Sequence, residues 1–466
     1  MTFYTSLLSK CQRHWGLSLL LLILLALLLR FFCSGMRVFV SADSLAYLNS
    51  AQALLTGTYH ETYIERTPGY IILLTLLQGL GSLFYGELSQ SVFQKLLLLF
   101  QSLLGLCNIV LFAVIARRLL GNPLWALLAA LLLALSPELL LYEHAMLSET
   151  LYTNCLLVLF WGLSVAFDQK PLSALLLLFL SVLSGLLMWV KPVAVSALAC
   201  VGCWLWLSSK SRQPTKRLQP LLFYGFGILL CVFPWMLFNA TQHNAFVFSA
   251  GQGANQLYKM IDFVDWSTPV HNATDFDMAY KDRLRFRVAQ HPAGETYNAV
   301  NDMHVVMDQE AKRQPDYSTI YLAHNEAAGK IAWQAILNNP LAWLWVSACQ
   351  WVDFFFKPPA PIVAKVPLFS LWAVASFQAY QVLASLALLG VGLSYFRRDW
   401  PVLFSGAIIF SHSLLYALTT LSDARYRLPL TPFFILLAVY AVKAFYACSV
   451  SSSSSNIDKA EAVFGG

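Results

Sequence analysis

The stretch 92–116 reads VFQKLLLLFQSLLGLCNIVLFAVIA and runs directly into Arg117-Arg118. An apolar run of this length matches the hydrocarbon core of a bilayer, and a basic pair at its end marks the side that stays in the cytoplasm. The pattern recurs along the chain. Of 466 residues, 58% are hydrophobic and 12% charged, against a usual charged share of about 25%. A soluble domain with that balance has too few polar groups to cover its surface. The sequence therefore predicts an all-α polytopic membrane protein.

Basic residues set the orientation. Lys10 and Arg13 place the N-terminus inside, and Arg117-Arg118, the cluster Lys210, Arg212, Lys216 and Arg217, and Arg397-Arg398 mark further cytoplasmic turns. The net charge of +6 is thus a topological signal, and no nucleic-acid partner is implied. The run 16–35 follows Lys10 and Arg13 without a clean small-x-small cleavage site and reads as an uncleaved first span. Further spans are expected at 92–116, 122–137, 150–167, 171–190, 192–208, 220–239, 372–396, 401–418 and 430–447, about ten in all. If 69–85 also crossed, Arg117-Arg118 would fall outside. That segment begins after Pro68 and carries Gly69, Gly79 and Gly81, so it reads as an amphipathic or re-entrant helix on the outer face. The segment 341–356 is expected to lie along the surface.

The organisation is then an N-terminal transmembrane module, 1–239, with a long first outer loop at 36–90. An outer-face domain at 240–340 and a C-terminal transmembrane module at 341–450 follow. The tail 451–466, opened by Ser451–Ser455, reads as disordered. The nine cysteines fall mostly in apolar runs and form no disulfide framework; Cys200 and Cys203 read as small packing residues. The sequons at Asn239 and Asn272 and the cations Arg283, Arg285 and Arg287 read as incidental surface features.

Polar groups gather in the segments assigned to the outer side. Ser41 is a candidate N-cap, which puts Asp43 in a first helical turn and Tyr47 on the same face. An ionised carboxylate there can accept a proton from an attacking hydroxyl or amine, or can simply start a helix. Arg66 precedes Thr67-Pro68-Gly69-Tyr70, a fixed turn where a guanidinium can hold a phosphate or snorkel to the interface. Glu138, Glu143, His144 and Glu149 crowd twelve residues. They are candidates for a divalent metal, although their spacing matches no specific pattern, or for a polar cap on a short turn. Lys191-Pro192 and Asp423-Ala-Arg425-Tyr426-Arg427 put cations on the outer side against the positive-inside trend. Such cations suit a lipid phosphate or serve as interfacial anchors.

In this order and context the motifs resemble the C-type membrane glycosyltransferases. The nearest branch holds the protein O-mannosyltransferases and the bacterial aminoarabinose transferases that modify lipid A. The resemblance rests on Asp43 with Tyr47 and Gly57, on Arg66-Thr-Pro-Gly-Tyr70, and on Ala116-Arg-Arg-Leu-Leu-Gly121. It continues through Ser136-Pro137, Leu147-Ser-Glu149, Lys191-Pro192 and Arg425-Tyr-Arg-Leu-Pro429, and covers roughly residues 10–450. It implies an inverting transfer of sugar from a polyprenyl-phosphate donor to a lipid, glycan or protein acceptor at the outer face of a plasma (inner) membrane. The family's catalytic aspartate maps onto Asp43 and the acidic residue of the second outer loop onto Glu149. Arg66, Lys191 and Arg425 or Arg427 would meet the donor phosphate, with Tyr47, Tyr70, Tyr426 and His144 as further substrate contacts. The mannosyltransferases carry an acidic pair where Asp43 is followed by Ser44, and the aminoarabinose transferases have a larger C-terminal part, so sugar and acceptor stay open. The alternatives are a transporter or flippase of lipid-linked or anionic substrates and an outer-face glycan polymerase or ligase. A transporter places ionisable groups near the midplane of its spans, where Lys95 is the one obvious candidate.

Overall fold

A computed structural model describes residues 13–464, except 34–37, 39, 62–63, 65, 86–88, 170–171, 209–213, 293, 312–316, 358–366 and 421–423. Lys10, Lys210, Arg212 and Asp423 lie outside the described residues. The described elements are all helical. They are α1 (Trp15–Cys33), α2 (Ala42–Thr56), α3 (Pro68–Tyr85), α4 (Gln90–Leu120), α5 (Pro123–Ala134), α6 (Pro137–Glu143), α7 (Glu149–Ala166), α8 (Ala174–Val190) and α9 (Val195–Ser208). After α10 (Pro214–His243) come α11 (Gln252–Met260), α12 (Asp275–Gln290), α13 (Thr296–Ala311) and α14 (Tyr317–Asn338), which form a polar domain. The chain closes with α15 (Pro340–Phe356), α16 (Pro367–Phe396), α17 (Trp400–Thr419) and α18 (Thr431–Phe464).

Among the described residues, seven helices are long and apolar enough to cross a membrane, in α1, α4, α7, α10, α16, α17 and α18. The pair α5–α6 adds an eighth, bent by 54° at Pro137, where the missing N–H lets the helix restart at a new angle. α8 and α9, two of the ten expected spans, are apolar but shorter than the others. α3 is also apolar and short. It lays Tyr70, Ile71 and Leu74 on Tyr47 and Ala51 of α2 and turns Leu80, Leu83 and Phe84 outward.

The bundle core is built mainly from α4, α5, α7 to α9 and α15 to α18, with Phe112, Phe160, Phe354, Phe433 and Phe434 fully buried. α8 meets α10 through small and polar groups. Ser184 Oγ lies 2.7 Å from Tyr224 Oη, and Trp189 Nε1 donates to the Cys231 carbonyl at 2.8 Å. Cys200 lies 3.2 Å from Ser411 Oγ, a packing contact between α9 and α17. In the polar domain α11, α12, α13 and α14 close over Leu257, Tyr280, Leu284, Val300 and Met303.

Basic residues mark one end of the bundle. Arg117 stacks over Trp15 at 4.5 Å, and Lys443 donates to the Leu120 carbonyl. The polar domain lies at the other end, where α11 docks on the C-terminus of α17. Gln252 donates to the Thr419 carbonyl at 2.8 Å and Gln256 to the Leu418 carbonyl at 3.0 Å. Lys259 bonds the Ala417 carbonyl and Ser347 Oγ. Three side chains on one face of α11 thus satisfy carbonyls that any helix leaves unpaired at its end. Burial lowers the Lys259 ammonium from 10.5 to about 8.

α18 continues through the serine run to Phe464. Extending an existing helix costs far less than starting one, so the serine run follows the span that precedes it.

Candidate functional site

Asp43 enters the site because Ser41 caps α2. The Ser41 hydroxyl accepts the Ser44 N–H while the Ser44 hydroxyl accepts the Ser41 N–H. This leaves Asp43 in the first turn, where the helix dipole favours a carboxylate. Its two oxygens are held from opposite ends of the sequence. Oδ1 accepts from Arg66 Nη2 at 2.5 Å and Oδ2 from Arg425 Nη1 at 2.5 Å. Burial alone would raise the Asp43 carboxyl, but the two guanidiniums outweigh it and hold it at about 2 against an ordinary 3.8.

Arg66 owes its position to a close approach. Thr67 Oγ1 donates to the Val190 carbonyl at 2.9 Å, and a Cβ on Gly69 would stand 2.8 Å from the Trp189 carbonyl oxygen. Only glycine lets the start of α3 touch the end of α8 there. The same helix end presents Lys191, which is extended before Pro192 because a residue preceding proline avoids the helical region. Lys191 Nζ donates to Glu149 Oε1 at 2.8 Å, the first residue of α7. Tyr426 joins the two ion-paired groups. Its ring lies 5.0 Å from the Arg425 guanidinium and 5.9 Å from Lys191 Nζ, and it stacks on Tyr416 at 4.3 Å.

These groups line one open cavity of about 360 Å³, together with Tyr47, Thr67, Ser148, Gln252, Asn255, Tyr416, Thr419 and Thr420. Three cations face two carboxylates, which leaves one positive charge over. A phosphate ester bearing one negative charge would balance it.

The cavity gathers seven of the ten residues singled out from sequence: Asp43, Tyr47, Arg66, Glu149, Lys191, Arg425 and Tyr426. Three stand apart. Tyr70 is buried behind the wall, edge-on to Tyr47 at 5.0 Å, with its hydroxyl on Gln101. His144 is buried in the turn after α6, its Nδ1 2.8 Å from the Leu140 carbonyl. Arg427 is fully buried, donating to Glu138 Oε1 at 3.0 Å and lying 4.1 Å over the Tyr380 ring.

The acidic run in residues 138–149 is not a cluster. Glu138 pairs with Arg427, Glu143 with Arg30 and Glu149 with Lys191. Among the described residues no three His, Cys, Asp or Glu side chains meet as a metal-binding group. The site carboxylates bond cations instead, so the residues present do not fit a divalent metal. Sequence reasoning missed the wall contributed by Gln252, Asn255, Tyr416 and Thr419. The signal for part of it was the spacing of Gln252, Gln256 and Lys259 along one helix face.

No protein-family model matches the chain, and a search of curated proteins finds no significant match. Among solved structures it is similar to the archaeal oligosaccharyltransferase AglB from Archaeoglobus fulgidus, in complex with an inhibitory peptide and a dolichol-phosphate. The identity is 12% and the TM-score 0.50, over 96% of this chain and 52% of that one. The chain thus spans about half the length of AglB. It is also similar to ArnT from Cupriavidus metallidurans, bound to undecaprenyl phosphate (16% identity) and in the apo state (15%). Each of these has a TM-score of 0.40 over 91% of this chain and 77% of that one. At such identities a likeness is one of fold. On the AglB comparison, the chain has the fold of the C-type membrane glycosyltransferases, as its sequence motifs had implied.

Proposed function

We propose that this protein is an inverting membrane glycosyltransferase, moving a sugar from a polyprenyl-phosphate donor to a lipid, glycan or protein acceptor. The observation that carries this reading is the convergence of Asp43, Arg66, Glu149, Lys191 and Arg425, from five separate segments, on one cavity. AglB, whose fold the chain shares, is bound to a dolichol-phosphate in its own structure, which supports a lipid-phosphate donor here. The basic end of the bundle, with Arg117, Arg397 and Lys443, fits the cytoplasmic side of a plasma (inner) membrane, which supports an outer-face position for the cavity.

In this mechanism the acceptor hydroxyl oxygen bonds to the anomeric carbon from the face opposite the phosphate. The carbon–oxygen bond to phosphate breaks, and its electron pair leaves with the polyprenyl phosphate. Asp43 takes the hydroxyl proton. Arg66, Arg425 and Lys191 stabilise the charge that develops on the leaving phosphate, where fixed cations act without reorganising. Asp43 is ionised at neutral pH but a weak base while both arginines hold it. A donor phosphate competes for the same N–H groups, so donor binding strengthens the base. Glu149 holds Lys191 in place.

The test is sugar transfer by the protein in nanodiscs from a panel of radiolabelled polyprenyl-phosphate sugars, wild type against Asp43→Asn. Carrier-dependent transfer or hydrolysis that vanishes in the variant is the expected result. Full activity in Asp43→Asn would remove Asp43 from its role, and failure of the wild type to bind any donor would favour the transporter reading.

A further inference from the structure

Beside the large cavity lies a second, small chamber of about 20 Å³, lined by Arg30, Gly105, Asn108, Glu143, Glu149 and Thr153 among others. It joins two ion pairs. Arg30, in the last turn of α1, donates from Nη2 to Glu143 Oε1 at 2.5 Å and from Nη1 to the Ala26 carbonyl at 3.1 Å. Glu149 meets Lys191 through Oε1. Three buried polar atoms of these lining residues have no hydrogen-bond partner among the described residues: Arg30 Nε, Glu143 Oε2 and Glu149 Oε2. Their residues are 6%, 3% and 3% exposed. Leaving such an atom unpaired away from water is costly.

The set is one donor and two acceptors around a space of one molecule. A water needs about 10–15 Å³ and two to four polar partners. It would donate one hydrogen to each carboxylate oxygen and accept the N–H of Arg30. A small cation suits the set less, since a guanidinium N–H is directed at the same space. Gly105 makes room for the Arg30–Glu143 pair on the wall of the chamber. A Cβ there would stand 2.0 Å from Glu143 Oε1 and 2.7 Å from Arg30 Nη2.

We infer that this chamber is a water site bridging Glu143 and Glu149, and that Arg30 and Glu143 are thereby positioning residues for the Glu149–Lys191 pair of the cavity. The chain of contacts runs from α1 through α6 to the start of α7 and on to Lys191. It fixes the second oxygen of Glu149, which the lysine leaves unbound. The water site stands on geometry alone, while its effect on turnover rests on the function proposed above.

Two measurements test the site without any donor. A structure of the full chain in nanodiscs, at a resolution that shows ordered water, is expected to place one peak within hydrogen-bond distance of Glu143 Oε2, Glu149 Oε2 and Arg30 Nε. No peak, or a peak ligated by oxygens alone with Arg30 turned away, overturns the site. A double-variant cycle in melting temperature joins Gly105→Ala and Glu149→Gln. The loss in the double variant is expected to be clearly smaller than the sum of the single losses, because both break the same bridge. Additive losses overturn the bridge. With a donor in hand, Arg30→Met is expected to lower kcat about tenfold or more, by misplacing groups at the reacting centre, and Arg30→Lys to recover part of it. Equal kcat in Arg30→Met and the wild type overturns the positioning role and leaves the proposed reaction untouched.

Discussion

Arg425 and Arg427 sit two residues apart in one short 3₁₀ segment, Ala424–Leu430, yet they belong to different worlds. Arg425 opens onto the cavity with its side chain 23% exposed and meets an Asp43 that is equally exposed. Arg427 is 0% exposed, and its partner Glu138 is buried in the bend between α5 and α6. Arg427 also bonds the Lys357 carbonyl and lies on the Tyr380 ring, so protein groups occupy its fork. The pair shows how one Arg-x-Arg motif divides two tasks. A cation that keeps access to a cavity can trade its carboxylate for a ligand, whereas one sealed among apolar side chains holds helices together.

Asp43→Asn carries the largest expected effect. Turnover of a polyprenyl-phosphate sugar falls by about 10²–10⁴, the usual weight of a positioned proton acceptor, while the detergent-solubilised protein keeps its elution profile. An active Asp43→Asn would leave Arg425 the donor phosphate as its one task in the reaction.

Next in size is Arg427→Met, which strands Glu138 in the interior. Removing one member of a buried pair costs about 3–5 kcal/mol, read as a large fall in melting temperature or in yield. Arg425→Gln sharpens the contrast from the other side. It is expected to lower the melting temperature by less than Arg427→Met does, since Arg66 still holds Asp43, but to weaken donor binding by about 10–100-fold, the worth of one charged hydrogen bond. A reversal of these two outcomes would exchange the roles assigned to the arginines.

The pH dependence of stability separates the pairs further. The folded Asp43 carboxyl lies at about 2, below its ordinary 3.8. Its ion pairs therefore contribute fully above about pH 4, worth roughly 2 kcal/mol, and are lost as pH falls toward 2. The stability gap between wild type and Asp43→Asn should close over that window. A gap that persists at low pH would contradict the double clamp. The smallest effect is expected from Gln256→Ala in the docking face of α11, about 1 kcal/mol for one neutral hydrogen bond, with turnover unchanged.

Much of this was legible in the sequence. Apolar runs give the spans because bilayer thickness sets their length. Asp43, Arg66, Lys191, Glu149 and Arg425 stood out because charge is rare in so apolar a chain. Their pairing was not legible. Glu138, Glu143 and Glu149 looked like one acidic cluster, but the end of α6 and the start of α7 turn them toward three different cations. Two of these partners are 113 and 289 residues distant in sequence. Arg30 was the missed signal, a lone charge near the end of an apolar span, which at membrane depth points to a buried partner. Arg427 shows the converse limit, since spacing cannot tell which of two neighbouring arginines the fold will seal.

The docking of α11 on α17 also orders the making of the protein. Its bonds join residues separated by 158 to 167 positions. At about 5–20 residues per second of synthesis, α11 exists for roughly 10–30 s before the carbonyls it grips. The polar domain must hold its own shape through that interval, and the far wall of the cavity is completed only when the penultimate span arrives.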